Sequence, residues 1–213
     1  MIMPFYVLSN PELEASDAIS DYLKVGKVNS DTAPHCIVCH CPIALMNWLP
    51  PFRAEIRFWG KRHGDIAFGG TELLLSERFV TLWDAEKLVG LDILGPVEIT
   101  KVIPKKMRTR LPSYFVGRVQ HSRAVVDDIE SGIDYEERWT CSECRVAENM
   151  LRIRRIVLEE DSWAGEDLFI ARGLPGFILT SERFKKFCDD RQFANVKLIN
   201  ALDYSIDWTF GQE

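Results

Sequence analysis

Leu75-Ser76-Glu77-Arg78-Phe79 is echoed by Thr180-Ser181-Glu182-Arg183-Phe184, and the two strings lie 105 positions apart. Two Cys-x-x-Cys pairs, Cys36/Cys39 and Cys141/Cys144, share the same 105-residue offset. Agreement of two unrelated features on one offset reads as a tandem duplication. The expected fold is therefore α+β, built from two copies of a mixed strand-and-helix unit. The first copy spans residues 1–103 and the second 112–213, with a basic linker at 104–111. The two cysteine knuckles are expected to meet and join the copies.

Within each copy the repeated string marks a helix start. Ser76 and Ser181 are N-cap residues, whose hydroxyls accept an orphan backbone N–H, and Glu77 and Glu182 suit the positive end of the helix dipole. Phe79, Leu82 and Trp83 fall at helical spacing and predict the inward stripe, as do Phe184, Phe187 and Cys188. Cys188 takes the place of Trp83 and so reads as a small buried hydrophobe. Gly90 is expected to end the first helix. Strands are expected at 4–8, 53–59, 73–75, 91–93, 97–99, 112–116, 151–158, 177–179 and 195–199. A weak helical pattern runs through Leu13, Ile19 and Leu23, broken by Gly26 and the 29–31 turn. Trp208 and Phe210 are expected to pack back on the body.

Composition is that of a globular chain, 46% apolar and 27% charged over 213 residues, enough to bury a core. No run approaches the roughly 18 apolar residues of a spanning helix. The opening residues carry no basic leader and read as a strand, which makes the cytoplasm the expected compartment. Reducing conditions there favour metal ligation over disulfides for the six cysteines. The net charge of −6 is unevenly spread. Between Glu98 and Asp127 there is no acidic residue, while Lys101, Lys105, Lys106, Arg108, Arg110, Arg118 and Arg123 are all basic. This is either a solvated linker face or one pole of a dipolar molecule whose acidic body steers a basic partner. The overall sign disfavours nucleic acid, although the basic stretch alone could touch phosphate.

Cys36, Cys39, Cys141 and Cys144 are the candidate metal ligands, and four thiolates in two tight turns suit a structural zinc ion. His35, His40 and Cys41 are spare candidates for one coordination place. A thioredoxin-like reading of Cys36-Ile37-Val38-Cys39 lacks the strand–helix context that lowers a thiol pKa. His63 reads as an exposed turn residue, and no His-Glu-x-x-His or Gly-x-Ser-x-Gly string supports hydrolysis. Arg78 and Arg183 are expected to pair with nearby carboxylates. Trp163 stands among Glu160, Asp161, Glu166 and Asp167, an aromatic ringed by carboxylates that would suit a basic partner.

The paired Cys-x-x-Cys and Ser-Glu-Arg-Phe strings resemble the bacterial double-CXXCG motif proteins over nearly the whole chain. Trp48-Leu49-Pro50-Pro51-Phe52, Leu158-Glu159-Glu160, the 162–167 segment and Gly173-Leu174-Pro175-Gly176 add to the resemblance. Immunity-protein families with a C-terminal Ser-Glu-Arg-Phe helix are also similar. The resemblance implies a non-enzymatic immunity protein that neutralises a cognate toxin by direct binding, without a membrane partner. The alternative is a zinc-stabilised adaptor or nucleic-acid-binding module. This chain departs from the pattern after each Cys-x-x-Cys, where His40 and Arg145 replace the glycine that would turn the knuckle with positive φ.

Overall fold

The computed structural model describes residues 4–12, 18–25, 33–44, 47–70, 72–104, 110–147 and 149–209. In chain order the strands β1 (Phe5–Ser9), β2 (Ala18–Lys24), β3 (Arg53–Gly60), β4 (Ile66–Phe68) and β5 (Glu72–Ser76) lead into helix α1 (Glu77–Glu86). Strands β6 (Leu91–Pro96), β7 (Glu98–Ile103), β8 (Tyr114–Val119) and β9 (His121–Val125) follow, then the single turn α2 (Asp128–Ser131). The last part holds β10 (Asp134–Tyr135), β11 (Met150–Ile153), β12 (Leu168–Arg172), β13 (Leu179–Ser181), helix α3 (Glu182–Arg191), β14 (Lys197–Asn200) and β15 (Ile206–Asp207).

The expectation of an α+β protein made of two tandem units is corrected. The described residues are mostly β, with only three helices, and form a curled seven-stranded sheet in the order β6-β8-β5-β4-β2-β3-β7. A five-stranded sheet runs β14-β1-β13-β12-β9, and β10-β11-β15 make a third. Pairing across the chain explains why tandem units do not form. β1 leaves the N-terminal half and pairs with β13 and β14, setting Tyr6 opposite Thr180 and Val7 opposite Ile199. β8 is received by β5 and β6, setting Val116 opposite Leu74 and Gly117 opposite Ile93.

Local expectations fare unevenly for the same reason. The helical pattern through Ile19 and Leu23 is overturned: those residues lie in β2, paired over seven residues with β3. Two apolar residues four apart fit either period, and the long ladder with β3 decides for a strand. Leu13, Gly26 and the 29–31 turn lie outside the described residues, as do Phe210 and most of the basic linker. The strand expected at 151–158 is reduced to β11. Lys87, in the left-handed region at φ 52°, closes α1 three residues before Gly90. Gly90 has another role. A Cβ there would lie 1.9 Å from the Leu168 carbonyl oxygen, so only glycine lets the chain pass β12.

The two motif helices share one core. Phe79 and Trp83 of α1 meet Phe184 and Phe187 of α3, with Phe193 4.9 Å from both Phe79 and Phe187. Cys188 is buried in this cluster, as expected of a small hydrophobe, and burial pushes its thiol pKa up. The caps hold as expected: Ser76 accepts the Phe79 N–H and Ser181 the Phe184 N–H. Trp208 packs its ring against Phe177 at 6.4 Å, although it remains partly exposed.

Each Ser-Glu-Arg-Phe string is clamped by one buried carboxylate and by the end of the other helix. Asp65 accepts from Ser76 Oγ at 2.7 Å and Arg78 Nη1 at 3.0 Å. It also accepts the Ala194 N–H, just beyond α3, at 2.9 Å. Asp167 accepts from Ser181 Oγ at 2.8 Å, Arg183 Nη1 at 2.9 Å and the Val89 N–H, just beyond α1, at 3.0 Å. Arg78 then donates to the Arg191 carbonyl at the end of α3, and Arg183 to the Glu86 and Lys87 carbonyls at the end of α1. Each guanidinium thus meets the negative end of the opposite helix. The expected Arg78 and Arg183 ion pairs are present, with Asp65 and Asp167 as their partners.

Removing a buried carboxylate strands a serine hydroxyl, a backbone N–H and a guanidinium together. Asp65→Ala and Asp167→Ala should each lower stability in urea unfolding by about 2–4 kcal/mol. Arg183→Ala should cost about 1 kcal/mol, because that side chain is already half in water.

Candidate metal centre

The first knuckle is a tight hairpin. Cys36 N–H donates to the Cys41 carbonyl at 2.9 Å, His40 N–H to the Cys36 carbonyl at 3.0 Å, and Ile43 N–H to the Pro34 carbonyl at 2.8 Å. The second knuckle repeats the key bond, with Arg145 N–H donating to the Cys141 carbonyl at 2.9 Å. The residue after each Cys-x-x-Cys is left-handed, His40 at φ 59° and Arg145 at φ 53°. Both knuckles turn without a glycine at this place, which puts two side chains where a Cβ is disfavoured.

The knuckles converge. Cys36 Sγ lies 3.9 Å from Cys141 Sγ, and Cys39 Sγ lies 3.5 Å from Cys144 Sγ. All four sulfurs fall within 4.8 Å of one another. A tetrahedral zinc with bonds of about 2.3 Å needs sulfurs about 3.8 Å apart. A disulfide would need about 2.05 Å. The four cysteines are therefore close enough to bind a metal ion, and the separations suit tetrahedral thiolate ligation rather than two disulfides. Cys36 and Cys144 are buried, Cys39 and Cys141 half-buried.

Two of the thiols are pushed in opposite directions. Burial pushes the Cys144 thiol up to about 12, whereas the Cys41 backbone N–H pulls Cys39 below its ordinary value. The Val38 N–H also points at Cys36 Sγ at 3.4 Å. Backbone donors favour the thiolate, and a bound metal ion would deprotonate the buried thiol as well.

The surrounding residues brace the second knuckle more than the first. Arg145 donates to Glu159 and to the Val126 carbonyl and lies over the Trp139 ring, 5.0 Å from its centroid. The Trp139 indole N–H in turn donates to the buried Asp128 at 2.6 Å. Glu143 is tied to Arg172 of β12 at 2.8 Å. The first knuckle shows its tip to solvent, with Ile37 84% and Val38 63% exposed. His35, His40 and Cys41 are exposed and stand outside the four-sulfur group.

The aromatic–acidic segment named from the sequence divides in two. Glu160 and Asp161 are exposed. Trp163 is half-buried, edge-on to Phe5 at 5.2 Å, and Glu166 accepts from Ser122 Oγ at 2.8 Å. Asp167 is turned inward into the helix clamp. His63 packs edge-on to Phe58 with 4.4 Å between ring centres, so it is not the open turn residue expected. The clamp carboxylates Asp65 and Asp167 were missed as partners of the repeated string. Their signal was the Gly64-Asp65 and Gly165-Glu166-Asp167 turns, 11 and 14 residues before the capping serines. Among the described residues, no helix is long and apolar enough to cross a membrane. No protein-family model matches the chain, and no curated protein matches it.

The left-handed positions give a test of knuckle strain. His40→Gly should raise stability by about 1 kcal/mol, since among the described residues its exposed side chain holds no hydrogen bond or ion pair. Arg145→Gly should lower stability despite the same backbone relief, because the links to Glu159, Val126 and Trp139 go with it. Thermal melts of the two variants in parallel would show opposite shifts.

Proposed function

We propose that the chain is a non-enzymatic binding protein whose four-cysteine centre holds a structural zinc ion. Its task in this reading is to neutralise a cognate bacterial toxin by direct contact in the cytoplasm. The observation that supports the structural role is that the four sulfurs lie within 4.8 Å of one another; a zinc ion held by all four would have no coordination place left for water or substrate. Such an ion would add its binding free energy to folding and tie residues 36–39 to 141–144. The toxin partner rests on the resemblance to double-CXXCG motif proteins. The net charge of −6 is consistent with a basic target, and the exposed Glu160 and Asp161 beside Trp163 would form part of the contact.

The alternative, a nucleic-acid-binding module carried by the basic stretch, draws less support. Lys101 is paired with Glu55, and Arg118 donates to the Trp48 carbonyl. Both are thereby held back from a phosphate backbone.

Metal analysis of the purified protein should find one zinc per chain, lost in both Cys39→Ser and Cys144→Ser, with a lower thermal midpoint in each. No metal, with all thiols titrating freely, would refute the zinc reading. For the partner, co-expression with any toxin encoded beside this chain should restore growth. Glu160→Lys combined with Asp161→Lys should weaken that protection by at least tenfold while leaving the melt unchanged. Absence of any complex with that toxin would overturn the immunity reading.

A further inference from the structure

The knuckles also wall a cavity of about 270 Å³. His35, Cys36 and Ile37 come to it from the first knuckle, and Glu143 and Cys144 from the second. Ile170 and Ala171 of β12 lie beneath, and His121 and Arg123 enter from β9. Ile43 and Val146 complete an apolar lining, so the cavity is greasy on one side and polar at its β9 edge.

The charges around it can be followed one at a time. Arg172 and Glu143 are ion-paired at 2.8 Å and cancel. His121 is open to water on one side, yet the protein desolvates it enough to hold its pKa below the ordinary histidine value, which leaves it neutral at pH 7. Arg123, by contrast, has no carboxylate or carbonyl partner among the described residues. Arg123 is exposed at the cavity's β9 edge, so the cavity presents one guanidinium outside any ion pair among the described residues, beside an apolar wall that also holds Cys36 and Cys144.

We propose that this cavity binds a small monoanionic ligand with an apolar body, a carboxylate. Arg123 takes the carboxylate through its paired N–H donors, and Ile43, Val146 and Ile170 receive the apolar part. One guanidinium matches one carboxylate as a planar pair, and the thiolates of the proposed zinc centre in the same wall would repel a dianion such as phosphate more strongly than a monoanion. The volume lies just under the roughly 300–1,000 Å³ of drug-sized ligand pockets. That fits an aliphatic acid or the last residue of a peptide with a free C-terminus. Both sources share the chemistry of a carboxylate on an apolar stem.

Four probes separate the possibilities on the full chain as purified: octanoate, octanamide, N-acetyl-glycyl-leucine and its C-terminal amide. Binding is read by isothermal titration and by amide chemical shifts of β9 and β12. At least one acid should bind, and its amide at least about tenfold more weakly. Arg123→Ala should abolish the difference between acid and amide without moving the melt, since its exposed side chain holds no hydrogen bond or ion pair among the described residues. Binding of the dipeptide acid alone would identify a polypeptide C-terminus as the source, and binding of octanoate would identify a free acid. The proposal is overturned if neither acid binds, if the amides bind equally well, or if Arg123→Ala keeps the discrimination. None of these outcomes bears on toxin neutralisation, which the co-expression experiment decides separately.

Discussion

Two buried carboxylates hold the molecule's centre together. Asp65 and Asp167 each join a serine cap, an arginine and a backbone N–H from beyond the opposite helix. A buried carboxylate is costly unless nearly all of its acceptor capacity is used. Each one therefore dictates where three separate segments must lie: its own turn, the Ser-Glu-Arg-Phe string and the stretch after the other helix. Because the third segment follows the other helix, neither Ser-Glu-Arg-Phe string can be completed alone. The shared cluster of Phe79, Trp83, Phe184 and Phe187 fills the space that this reciprocal clamp defines.

The exchange of strands follows the same logic. β1 lies between β13 and β14, and β8 between β5 and β6, so each of these strands is satisfied on both edges by segments from the opposite part of the sequence. Such contacts have a high loop-closure cost and are rewarded only when many form together. The four-cysteine cluster brings together another pair of segments, 105 positions apart. Its two turns carry left-handed His40 and Arg145, and among the described residues Arg145 alone is compensated by hydrogen bonds from its side chain. The second knuckle is thus the anchored one, and the first presents Ile37 and Val38 outward.

The charge pattern takes on a different meaning once it is placed in space. Acidic residues that look like one surface in sequence separate into exposed groups, Glu160 and Asp161, and an interior one, Asp167. Basic residues divide likewise: Lys101 and Arg118 are occupied by Glu55 and a carbonyl, while Arg123 is left at the edge of a cavity. A count of charge along the chain cannot make these distinctions, because the partner of each group comes from a distant strand.

Local chemistry was legible in the sequence alone. The caps at Ser76 and Ser181, the inward stripes of both helices, the burial of Cys188 and the four candidate thiols depend on spacing over a few residues, and the structure places them as read. The repeat of strings at one offset also pointed to equivalent local roles. Tertiary structure alone decided that the chain is mostly β with exchanged strands. It also decided that Ile19 and Leu23 belong to a strand, and that Asp65 and Asp167 complete the helix motifs. Strand partnership is set by hydrogen bonds between segments far apart in the chain, and an isolated strand carries no mark of its neighbour. The sequence could supply the cysteines, but only the folded sheets bring their sulfurs to within 4.8 Å.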